Sequence, residues 1–103
     1  MSGGAKIIVH VDADLEPIVP RFLELRREDI EAIKNNLEKA DFEAIRIIGH
    51  SMKGAGGGYG FDYITELGMG IENSAKESDK VEIRRLTDEL IEYLENIEVV
   101  YYE

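Results

Sequence analysis

Four stretches of this sequence repeat apolar residues at intervals of three, four and seven, and that recurrence limits the possible folds more than any other feature of the chain. The first runs after Pro20 through Leu23, Ile30, Ile33, Leu37 and Ala40, and the second through Ile45, Ile48, Met52 and Ala55. The third carries Phe61, Ile64, Leu67, Ile71 and Ala75, and the fourth Ile83, Leu86, Leu90, Leu94 and Ile97. A helix with one apolar stripe must cover it against a neighbour, so four such helices need one another. Pro17 and Pro20 fit only near the first turns of the first helix, where a missing N–H breaks no ladder. Asp41 has the short acceptor side chain of an N-cap for the second helix. The connections, near 39–41, 59–62 and 78–80, are short, which favours antiparallel neighbours. The expected fold is therefore all-α, an antiparallel up-down-up-down four-helix bundle over residues 15–103. Residues 1–14 are expected as an N-terminal arm. Met1 to Lys6 reads as a flexible leader. Ile7 to Val11 alternate weakly as a strand would, but an isolated strand has no partner, which leaves an extended arm or a short helical lead-in.

A length of 103 residues suits one domain with a modest core. Hydrophobic residues at 44% and charged residues at 33% describe a globule rather than a disordered tail. Cysteine is absent, so disulfides and thiolate metal sites are excluded. The apolar runs are only a few residues long, which argues against a signal peptide or a membrane span and points to the cytoplasm. A formal charge of −10, with no basic stripe, repels a phosphate backbone, so nucleic acid is not an expected partner. A monomer is expected.

The most unusual local feature is "GHSMKGAGGGYG", residues 49–60, in which six of twelve residues are glycine. At about 100° per residue, Ile45, Ile48, Met52, Ala55 and Tyr59 fall in one sector of roughly 80°. Arg46, His50, Lys53 and Gly57 fall in another, of about 60°, on the far side, with Gly54 beside it. His50 therefore faces water. Each glycine inside a helix costs nearly 1 kcal/mol relative to alanine, so something must justify the loss. Gly54 and Gly57 lie one and two turns past His50 on its own face, where missing side chains leave the imidazole open to another macromolecule. Gly56 and Gly58 read as loosening the helix end toward the turn. Lys53, one turn from His50, places an ammonium where phosphoryl oxygens would sit on a phosphorylated imidazole.

Hairpin geometry adds a partner. If the second and third helices are antiparallel about a turn near Phe61, residues whose numbers add to about 122 lie side by side. His50 then meets Glu72, Arg46 meets Lys76, Lys53 meets Met69 and Gly57 meets Thr65. A carboxylate beside an imidazole accepts the proton of one ring nitrogen, fixes the tautomer and leaves the other nitrogen as an oriented nucleophile.

These residues resemble a known family. "HSMKGAGGGYG" is similar to the HxxKG motif, with a glycine ten residues after the histidine, of histidine-containing phosphotransfer domains; "HSMKG", "YGF" and "IEN" sit well with those of chemotaxis histidine kinases. The likeness extends over about Leu15 to Ile97. It implies that His50 is the phosphoacceptor, that Lys53 assists the phosphoryl group, that Gly54 gives access and that Gly60 closes the motif at the turn. Glu72 stands where the family commonly has Gln or Glu in contact with the imidazole. The resemblance further implies a phosphocarrier rather than a stand-alone enzyme, moving a phosphoryl group between a histidine kinase or a receiver aspartate and another receiver aspartate. No cofactor of its own is expected, since the Mg²⁺ would belong to the partner. The pattern of a kinase dimerisation helix is absent, because Ser51 and Met52 follow His50.

Docking is expected on the face around His50, with Arg46, Ile47, Gly54, Gly57, Met69 and Lys76 as contact or access positions. A helical adaptor that binds partners through that face without phosphorylation is the alternative; it would bind a phosphorylated receiver but never become labelled. Other chemistries lack their residues. GxxxxGK[ST] fails because Lys53 precedes Gly54, and GxGxxG fails because Tyr59 or Phe61 takes its last position. His10 and His50 are the only histidines and form no HExxH pair. Asp12, Asp14 and Glu16 hint at a calcium loop, but Pro17 replaces the needed glycine and Leu23 the final glutamate, so they read as helix-start acids. His10 has no readable role.

Overall fold

A computed structural model describes residues 6–103; the expected leader lies, up to residue 5, outside them. Strand β1 spans Ile7–Asp12 and a short 3-10 turn Ala13–Leu15. Helices α1, α2, α3 and α4 span Val19–Glu38, Phe42–Gly56, Asp62–Lys76 and Lys80–Asn96, and strand β2 spans Ile97–Tyr102. Each helix packs against its neighbours in chain order, and α1 also meets α4, so the four close into a ring with α2 and α3 the most intimate pair. Phe61, Ile33, Ile45, Met52, Ile64, Ile71, Ile83 and Leu90 are fully buried at its centre. Four amphipathic helices thus share one core.

The first stripe differs in detail from its expected form. Its buried residues are Val19, Phe22, Arg26, Ile30, Ile33 and Leu37. Leu23 packs only partly, and Pro20 sits in the first turn. Arg26 enters the stripe because its guanidinium lies 4.8 Å over the Phe22 ring and is paired with Asp29 at 2.9 Å. Phe22 in turn meets Tyr59 and Phe61, with ring centroids 4.4 and 5.2 Å away, and this ties α1 to the turn after α2.

Ala40 is not part of that stripe. It is exposed and left-handed, with φ 55°. Its N–H donates to the Leu37 carbonyl at 3.1 Å and the Asp41 N–H to that of Asn36 at 2.9 Å, the paired bonds that close a helix C-terminus. The same turn recurs at Ser78, φ 56°, where Ser78 and Asp79 donate to Ala75 and Ser74. The next residue then starts a helix in both cases: the Asp41 and Asp79 carboxylates accept the N–H groups of Ala44 and Glu82, each at 3.1 Å. Two-part stop-and-start signals of this kind keep the connections short.

The ends of the chain correct the all-α expectation. Ile97, read from its spacing as the last apolar residue of the fourth helix, has ψ 145° and begins β2. β2 pairs in parallel with β1, from Ile7 opposite Ile97 to Asp12 opposite Tyr102. Ile7 to Val11 is thus neither a free arm nor a helical lead-in, because its partner lies at the opposite end of the sequence. Val9 and Val11 are buried against the bundle, whereas Ile8, His10 and Asp12 point outward.

Candidate functional site

α2 turns Ile45, Gly49, Met52 and Gly56 into the interior. His50 follows on the far side of the helix, and its side chain is 65% exposed. α3 buries Ile64, Leu67, Gly68, Ile71, Glu72 and Ala75, so a carboxylate is built into an otherwise apolar stripe. The Glu72 side chain is only 6% exposed, and both of its oxygens are used. Oε2 lies 3.0 Å from His50 Nδ1, and Oε1 lies 3.0 Å from Lys53 Nζ. The Lys53 ammonium, and after it the His50 imidazole, hold the Glu72 carboxyl below the usual carboxylate range against the opposing effect of burial. An ionised Glu72 only accepts, so the ring nitrogen facing it is the N–H donor. Nε2 then carries the lone pair on an exposed ring.

The register that brings these groups together comes from glycine. A Cβ built on Gly49 would stand 2.6 Å from the Glu72 backbone nitrogen and 2.9 Å from the Gly68 carbonyl oxygen. One on Gly68 would stand 2.5 Å from the Lys53 nitrogen and 2.8 Å from the Gly49 oxygen. One on Gly56 would stand 2.6 Å from Thr65 Oγ1 and 2.8 Å from the Phe61 oxygen. These contacts run in opposite directions along α2 and α3, so the two helices are antiparallel. The Gly49–Glu72, Gly68–Lys53 and Gly56–Thr65 pairs have residue numbers that add to one less than the hairpin estimate, which preserves the His50 to Glu72 contact.

The glycines therefore divide by task. Gly56 does not loosen the helix end; it admits α3, and no side chain fits there. Gly60 makes the turn, with φ 87°, beside the His10 carbonyl. Gly54 and Gly58 have nothing within 4 Å, and Gly57 has only Thr65 Oγ1 at 3.7 Å. The fold itself leaves space for side chains at those positions.

Around His50, Ile47 is 54% exposed and Met69 45%. Arg46 is held by Glu43 on its own helix through two bonds of 2.6 and 2.9 Å, while Lys76 is exposed and has no ion pair among the described residues. The structure joins His50 and Lys53 through Glu72 and leaves Arg46, Ile47, Gly54, Gly57, Met69 and Lys76 on α2, the turn after it and α3. Gly49 and Gly68 were missed in reading the sequence. Nothing local marked them, since a helical glycine reads only as a cost until the backbone opposite it is known. Among the described residues, no group of three or more acidic or histidine side chains is placed to hold a metal ion, and no helix is long and apolar enough to cross a membrane.

A family model described as Hpt domain matches residues 18–99. The chain belongs to the Hpt domain family. Hpt domains are histidine phosphotransfer modules of phosphorelays, phosphocarriers rather than classical enzymes, and they interact with kinases and receiver domains. No curated protein and no solved structure matches the chain significantly. The Hpt match takes in all four helices and ends within β2, leaving β1 outside it.

Proposed function

We propose that His50 of this Hpt domain carries the phosphoryl group, accepting it from a receiver aspartyl phosphate or from a kinase and delivering it to another receiver aspartate. The observation that carries the reading is the exposed imidazole seated by Nδ1 on a buried, ionised Glu72. Nε2 attacks phosphorus, the N–P bond forms and the P–O bond to the donor breaks, so an aspartyl phosphate leaves as a carboxylate and a γ-phosphate donor held by a kinase leaves as the nucleoside diphosphate. The ring gains positive charge as that bond forms. Glu72 stabilises this charge at the Nδ1–H, where no solvent need reorganise. Delivery to the next aspartate reverses these changes.

Lys53 completes the chemistry. Its ammonium lies one helical turn from the imidazole and can bond phosphoryl oxygens while staying near Glu72. Gly54 and Gly57 leave the approach to Nε2 clear, and Ile47 and Met69 offer apolar contact, flanked by Arg46 and Lys76. The Mg²⁺ would belong to the partner and would neutralise charge on the transferring group there. The ring of helix contacts and the short turns support the up-down-up-down path, and the outward face of α2 and α3 would serve as the docking surface.

Replacement His50→Gln keeps the helix and removes the nucleophile. Incubated with a phosphorylated receiver, the wild-type chain is expected to gain an acid-labile label and the variant none. Undiminished labelling of His50→Gln would defeat the assignment, and a wild-type chain that binds the receiver without label would make it an adaptor.

A further inference from the structure

We propose that Gly49 and Gly68 are positioning residues for the phosphoacceptor: their contact with the facing backbones sets the gap that Glu72 must span to hold His50 and Lys53 together. The proposal rests on the reading of His50 given above. Apart from each other's carbonyl oxygens, the backbone atoms that a Cβ on either glycine would meet belong to the two residues that serve the imidazole. A Cβ on Gly49 would press on the nitrogen and Cα of Glu72, and one on Gly68 on the nitrogen and Cα of Lys53. Backbone cannot swing aside as a flexible side chain can. One glycine therefore fixes the height of the carboxylate above α2, and the other fixes the height of the lysine against α3.

The geometry is sensitive because one carboxylate makes both bonds at 3.0 Å. An alanine Cβ at either position would begin about 1 Å inside ordinary van der Waals contact, so α2 and α3 must separate by about that much. A hydrogen bond stretched from 3.0 Å by such an amount passes the range in which it orients its partners. Glu72 could then follow α3 and lose His50, or reach for one partner and lose the other. In either case the ring loses the contact that fixes its tautomer.

Gly56 supplies the control. A Cβ there would be just as crowded, 2.8 Å from both the Phe61 oxygen and the Thr65 nitrogen, but Gly56 lies six residues beyond His50 and its Cβ would meet none of the three site residues. All three glycine-to-alanine variants should lose stability. Only Gly49→Ala and Gly68→Ala should change the site.

The test makes each variant in an Ala40→Gly background, which relieves an exposed left-handed alanine, and works at about 10 °C, near the usual maximum of stability. Imidazole ¹⁵N shifts read the His50 tautomer without any phosphodonor, and a phosphorylated receiver reads the transfer rate. Gly49→Ala and Gly68→Ala are expected to lose the dominant Nδ1–H tautomer and to slow phosphotransfer by about ten- to a hundredfold, with Gly56→Ala within about twofold of its parent. An unchanged tautomer in both site variants, an equal loss of rate in Gly56→Ala, or failure of both site variants to fold would overturn the proposal. If the wild-type chain takes no phosphate, the functional reading fails, while the tautomers still decide the geometry.

Discussion

Glu72 is the residue on which the candidate site depends, because it is both buried in the α3 stripe and bonded at each oxygen to a group on α2. Its folded pKa is lowered, chiefly by the hydrogen bond from Lys53. A depressed carboxylate contributes stability above its unfolded value, near 4.5, and the contribution is lost as pH falls through the folded value. The urea midpoints of the wild-type chain and Glu72→Gln should therefore differ most above about pH 5 and converge as the solution is acidified below the folded pKa. A gap that is constant with pH would mean that Glu72 is not ionised against Lys53. The same variant still contains His50 and should still label, but about tenfold more slowly, since glutamine stabilises a positive ring less well than a carboxylate. At this scale the sequence was informative where spacing and chemistry coincided. His50 and Lys53 are one turn apart, and a hairpin register carries Glu72 to His50; the same register set Met69 opposite Lys53, whereas the Lys53 ammonium reaches Glu72. Gly49 and Gly68 were silent because a helical glycine reads only as a cost until the opposite backbone is known.

The elements owe their boundaries to a few capping residues, and two of those residues carry strain. Ala40 and Ser78 close α1 and α3 in the left-handed region, at φ 55° and 56°, which glycine adopts freely and a Cβ opposes. Both are exposed, so no packing is lost when either is replaced. Ala40→Gly and Ser78→Gly are each expected to stabilise the fold by about 1 kcal/mol, read as a higher midpoint in urea at unchanged slope. A fall in stability at both positions would mean that the greater freedom of glycine in the unfolded chain outweighs the strain. The stripes and the Asp41 cap could be read from the sequence because helix periodicity and capping are local. Ala40 and Ile97 were misplaced for one shared reason. Each continues the apolar spacing by one step after the backbone has already left the helix, and apolar spacing alone carries no information on φ or ψ.

At the scale of the molecule, the parallel pairing of β1 with β2 joins the two ends of the chain across the entire bundle. No local pattern could disclose it, since β1 reads as a lone strand and β2 as the tail of a helix. The family match likewise starts after β1. The pairing also has a kinetic consequence. Closing the loop between the strands costs more chain entropy than any contact between consecutive helices, so the helices should associate first and the strands zip last. Val11 is 1% exposed on the inward face of β1, and Val11→Ala removes two buried methyl groups, worth about 2 kcal/mol. Interactions absent from the transition state act on unfolding alone. Stopped-flow measurements in urea should therefore show Val11→Ala unfolding about thirtyfold faster with its folding rate nearly unchanged, whereas Ile45→Val, fully buried in α2, should also slow folding. A folding limb displaced by Val11→Ala as far as the unfolding limb would place the strand pair in the nucleus. The bundle would then depend on its chain ends to form at all, rather than being fastened by them once formed.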